Sequence, residues 1–248
     1  MAETAVAPRA TRLERAELGP ALSWLIGRAS LDDEAWTAVK GVAPGALSRG
    51  AADPAVLLRA LLDAGLAAEA LRVMACALPP REGIWWAFIA ARHAAQVAAS
   101  KAGKEAAESD AIAAEADLLA LIERWINQPS DDNRRSAWAA AQAAGMETPA
   151  GCAAAAIYFT GGSLSPAGSA YVPPPAGVHV TMAATSVLLA AALTSPDRMV
   201  ELADAFTGQG IEIVRRLGSW ETSLLGAKRS FDSQAEAAKP PAPPAPVS

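Results

Sequence analysis

Glu82, Arg92 and His93 are the residues of this chain whose types best suit acid–base chemistry. Histidine titrates near neutral pH, and a carboxylate with a guanidinium could steer its proton. All three fall in one stretch, Pro80-Arg81-Glu82-Gly83-Ile84-Trp85-Trp86 continuing to Arg92-His93. If that stretch is one helix, Glu82 and His93 stand roughly 16 Å apart along its axis, too far for direct proton exchange. The competing assignment is structural: Glu82 favours the positive N-terminal end of the helix, and His93 packs at a core boundary.

Other constellations fail sooner. With only His93 and His179 in the chain, a three-histidine zinc site is excluded, and there is no HExxH pattern. No metal and no cofactor is expected, and no residue is assigned a catalytic role. Cys76 and Cys152 are the only cysteines, which rules out a disulfide framework and a CxxC zinc knuckle. Gly161-Gly162-Ser163-Leu164-Ser165 nearly spells a nucleophile elbow, but the last glycine is missing and no strand precedes it. Gly208-Gln209-Gly210 begins a dinucleotide fingerprint in which Ile213 replaces the third glycine.

What positions these residues is helical. The chain is 52% hydrophobic but only 5% aromatic, so alanine and leucine, strong helix formers, supply its apolar surface. The expectation is an all-α fold of about nine mostly antiparallel helices forming one multi-helix domain over residues 19–232. A loose arm over 1–18 and a disordered tail over 233–248 would flank it. The tail is rich in proline and alanine, with five prolines, and cannot bury enough apolar area to offset its ordering entropy.

Helices are expected near Ala21 to Arg28, Asp32 to Lys40, Pro54 to Asp63 and Leu66 to Ala77. The tryptophan helix should run from Arg81 to about Ser100 at the centre of the fold. Lys101-Ala102-Gly103 should break it before a helix reaching Ile126. Ser130 and Thr148-Pro149 read as helix starts, and Gly65, Gly145 and Gly161-Gly162 as stops. The last two helices are expected over about His179 to Leu193 and Pro196 to Leu217. The seven tryptophans read as core anchors that fill gaps between small alanine side chains.

The loop from Gly161 to Gly177 interrupts this pattern with Pro166, Gly168, Pro173, Pro174 and Pro175. Long loops in a compact helical chain are often functional. Tyr171 and Val172, set between Gly168 and the prolines, are apolar residues that a partner could grip. The alternative is that Tyr171 folds back over the core.

Net charge is −5, and no basic cluster of the kind that tracks a phosphate backbone stands out, so no nucleic-acid partner is expected. Val178 to Ser195 is the longest uncharged helical stretch, yet it carries His179, Thr181, Thr185 and Ser186 and reads as a buried core helix, not a membrane span. The N-terminus lacks an apolar signal region, so the expected location is cytoplasmic.

At Pro79-Pro80-Arg81-Glu82-Gly83-Ile84-Trp85-Trp86-Ala87, and again at Phe159-Thr160-Gly161-Gly162-Ser163-Leu164, the chain resembles an uncharacterised bacterial all-helical domain family of unknown function. The resemblance covers roughly residues 20 to 220. It implies a link to type VI secretion gene neighbourhoods and supplies no catalytic residue. The functional expectation is therefore a non-enzymatic interaction protein, an adaptor or chaperone-like accessory whose partner is another protein. The alternative is an enzyme or small-ligand binder using Glu82, Arg92, His93 and the 161–177 loop.

Overall fold

The structure, a computed structural model, describes residues 20–33, 35, 37, 53–106, 110–166 and 168–238. Among these there are ten α-helices and no strand. They are α1 (Pro20–Ala29), α2 (Pro54–Asp63), α3 (Ala67–Ala77), α4 (Pro80–Ala106) and α5 (Asp110–Asn127). Then come α6 (Asp131–Ala144), α7 (Pro149–Tyr158), α8 (Val178–Thr194), α9 (Met199–Arg216) and α10 (Trp220–Ala237). The expected arm, most of the helix at Asp32 to Lys40 with its Trp36, and the tail from 239 onward lie outside the described residues.

Local chemistry sets most boundaries. Asp53 caps α2 by accepting from the Ala55 amide, with Pro54 at the first helical position. Ser130 and Thr148 cap α6 and α7, accepting from the amides of Asn133 and Gly151. Gly65 and Gly145 end their helices at φ +78° and +92°, where a Cβ would be strained.

Alanine decides the packing. Every residue of α7 is buried, because its run of alanines lets α4, α5, α6 and α8 approach closely from all sides. α8 lies against α7 and also packs on α3, α4 and α9. The tryptophan helix α4 therefore shares the centre with α7 and α8 and does not hold it alone. Trp86 is fully buried in α4, and its indole N–H donates to the Phe206 carbonyl of α9 at 2.7 Å. An anchor of this size needs that polar partner once buried.

Three expectations are corrected. Helix α4 continues through Lys101 to Ala106, so one glycine at 103 does not break it. Pro196 opens a 3₁₀ turn over Pro196–Arg198, and Ser195 makes no side-chain cap. Finally, α10 is an additional helix that runs into the expected tail. Ser219 caps it by accepting from the Thr222 amide, after Gly218 turns the chain at φ +105°. Ser223 then ties α10 to the core, donating at 2.7 Å to the Ala77 carbonyl at the end of α3.

Among the described residues, no single helix is long and apolar enough to cross a membrane. The apolar α8 buries His179, Val180, Ala183, Val187, Ala190 and Ala191 within the bundle.

Candidate functional site

The three residues considered for acid–base chemistry are dispersed. Glu82 borders a cavity of about 410 Å³ with Arg81, Trp85 and Arg216. Arg92 is exposed and lies over the Phe88 ring at 5.1 Å, beside a separate apolar groove of about 440 Å³. His93 packs edge-on against Phe206, ring centroids 5.9 Å apart. They remain on one helix, and among the described residues no single cavity takes in all three. No group of three or more His, Cys, Asp or Glu among the described residues could hold a metal ion. Both cysteines are buried, and burial pushes the Cys76 thiol up to about 12.

The loop that follows α7 is built far more deliberately. Its tip is exposed, Tyr171 at 59% and Val172 at 45%, so Tyr171 does not cover the core. Its base is locked. Arg134 of α6, only 4% exposed, donates to the carbonyls of Tyr158 at 2.8 Å and Ser163 at 2.9 Å. Arg135 donates to the carbonyls of Ser163 and Ser165 at 3.1 and 2.8 Å. Both guanidiniums are oriented by Asp131, whose two carboxylate oxygens accept from Arg134 and Arg135. Hydrogen bonds from Arg135 and then Arg134 hold the Asp131 carboxyl below its usual range.

Inside the loop, Ser163 Oγ accepts from the amides of Ser165 and Val172, both at 3.1 Å. The Leu164 amide donates to the Val172 carbonyl at 2.8 Å, closing the excursion on itself. Tyr158 stacks on Trp138 with centroids 4.7 Å apart and donates its hydroxyl to the Leu164 carbonyl at 2.6 Å. Gly162 adopts φ +71°, and a Cβ there would come within 2.9 Å of the Arg134 guanidinium.

The far side is held by α10. Gln234 Nε2 donates to the carbonyls of Phe159 and Thr160 at 3.0 and 3.2 Å, and its Oε1 accepts from the Gly177 amide at 3.4 Å. One side chain thus fastens both ends of the loop. Sequence reasoning singled out Tyr171 and Val172 but missed the clamp, since adjacent arginines three and four residues after an aspartate read as ordinary surface charge. Gln234 falls within the tail expected over 233–248.

Residues 57–214 match the model of a family of unknown function. The chain belongs to that family, DUF6931. No curated protein and no solved structure matches the chain. The DUF6931 match starts in α2 and ends in α9, so it takes in Arg134, Arg135 and the whole 163–177 loop. It leaves out α1 and α10, and with them Gln234.

Proposed function

We propose that this DUF6931 protein is a non-enzymatic interaction domain, an adaptor or chaperone-like accessory, that grips a protein partner with the tip of the 163–177 loop. One observation carries the reading: the loop base is fixed by Arg134, Arg135 and Gln234 while Tyr171 and Val172 stay exposed at its tip. Fixing a loop backbone costs conformational entropy. Once that cost is met within the fold, a partner need not meet it again on binding. Tyrosine suits such a contact, because it brings large area with few rotatable bonds. The partner chemistry is an apolar protein groove that accepts Tyr171 and Val172 beside the rigid Pro173–Pro175 run. An accessory role beside a type VI secretion system, which the sequence resemblance implies, is the setting we propose for it.

The test is a photocrosslinking amino acid at position 171 in source cells, with one at the exposed Arg59 as control. A defined protein adduct formed only from position 171 is expected. Tyr171→Ala with Val172→Ala should weaken that partner at least about tenfold, the scale of a contact worth 1.4 kcal/mol, with the melting temperature nearly unchanged. No adduct, or a large fall in melting temperature with the partner retained, would overturn the reading.

A further inference from the structure

A second feature lies away from the loop tip, in a cavity of about 600 Å³ bordered by α1, α3, the start of α8 and Phe231 of α10. We propose that this cavity binds a small phosphorylated metabolite, with Arg28 and Arg72 holding the phosphate. Arg28 and Arg72 are the charged residues of its lining among the described residues, and no described carboxylate stands with them. Arg28 lies over the Phe231 ring at 5.1 Å, a cation–π contact that leaves its N–H edge free to donate. Arg72 has one weak ion pair, with Glu69 at 4.0 Å, and one long hydrogen bond to the Ala29 carbonyl at 3.5 Å. Five N–H donors are thereby far from saturated.

Two guanidiniums beside one cavity repel each other, and a dianion removes that repulsion while accepting from both planar forks. A monocarboxylate would neutralise only one. Gly177, left-handed at φ +85°, precedes α8 and offers no side chain to its first amides. The 17-residue helix therefore adds its positive end to the same cavity. Val180, Met182 and Phe231 add apolar lining suited to an organic moiety. The volume falls in the range of small-molecule sites, about 300–1,000 Å³.

This site shares no residue with the loop tip, so each proposal stands or falls alone. The experiment is calorimetric titration of the full chain with pyrophosphate and with glucose 6-phosphate, against sodium chloride at matched ionic strength. Saturable binding of at least one phosphate probe, absent with chloride, is expected. Arg28→Gln and Arg72→Gln should each weaken it at least about tenfold, the scale of a lost charge-assisted bond. Arg28 is exposed, so Arg28→Gln is expected to fold as the parent does, which circular dichroism checks. No saturable binding, or binding that Arg28→Gln leaves intact, overturns the proposal. So does binding confined to phosphatidylglycerol vesicles, which would assign the arginines to a membrane surface.

Discussion

Gln234 Nε2 donates to the Phe159 carbonyl at 3.0 Å, joining two residues 75 apart in the chain. Phe159 ends α7 and Gln234 lies in the last turns of α10, so this bond closes the helix bundle over the loop base. Gln234→Leu keeps the volume and removes both donor and acceptor. It strands the carbonyls of Phe159 and Thr160, at about 1–3 kcal/mol for a buried polar group left unpaired. Urea denaturation should show a loss of about 2 kcal/mol, and amide exchange at Gly177 should accelerate. A chain cut after Asp232 should lose at least as much. An unchanged midpoint for both would mean that α10 contributes nothing to loop order.

Arg134 makes the corresponding clamp from α6, and its guanidinium also lies over the Tyr158 ring at 4.6 Å. Arg134→Met retains the aliphatic stem but strips the Tyr158 carbonyl of its donor, while the Ser163 carbonyl keeps its bond from Arg135. The expected cost is about 1–3 kcal/mol, the scale of one buried acceptor left unpaired. Arg134→Lys should rescue little, since an ammonium cannot reproduce the planar fork. Arg135→Lys, at a more exposed position, should cost far less. Equal effects at the two positions would contradict the buried role assigned to Arg134.

These two clamps mark where the sequence became hard to read. Caps are local, and so Asp53, Ser130 and Thr148 were legible from residue type and the proline or acid that follows. Helix α10 was harder, because its buried face rests on few residues, Ser223, Leu224, Ala227, Phe231 and Gln234, set among charged ones. Its proline-rich sequel then coloured the whole C-terminal stretch. The flanking glycine and prolines marked a surface excursion, but whether Tyr171 points outward or folds back over the core was open on sequence and is decided by the fold. Arg134 could not be told from Arg135 on sequence, since only the folding back of the loop buries one and leaves the other half-open.

Glycine substitutions should divide according to what surrounds them. A Cβ on Gly151 in α7 would stand 2.2 Å from the Gly145 carbonyl oxygen, a backbone atom that cannot swing aside. Gly208 in α9 is exposed, and a Cβ there meets nothing within 4 Å. Alanine in a helix gains up to about 1 kcal/mol over glycine. At Gly208 that gain should appear as added stability of about 0.5–1 kcal/mol. At Gly151 overpacking, about 1–3 kcal/mol or more, should outweigh it. Thermal melts of Gly151→Ala and Gly208→Ala must therefore move in opposite directions. Both moving the same way would show that α6 and α7 do not approach as closely as described.

Acid should weaken the fold before any clamp carboxylate is touched. His179 at the start of α8 is buried against Phe231, ring centroids 5.9 Å apart, and its Nδ1 finds no hydrogen-bond partner among the described residues. Burial alone pulls its pKa from 6.5 down to about 4. Between those values the unfolded chain holds the proton and the folded chain does not. Stability therefore falls as pH drops from about 6.5, by up to about 1.4 kcal/mol per pH unit, and this loss is complete below about 4. Asp131 works in a lower window: its carboxyl is held below the ordinary 3.8, so its contribution disappears only in stronger acid. His179→Gln should flatten the stability profile between pH 4 and 6.5 and leave the steeper acid limb in place. The check is a set of urea midpoints across that range for both proteins. A parent profile already flat there would mean that His179 is protonated in the folded state.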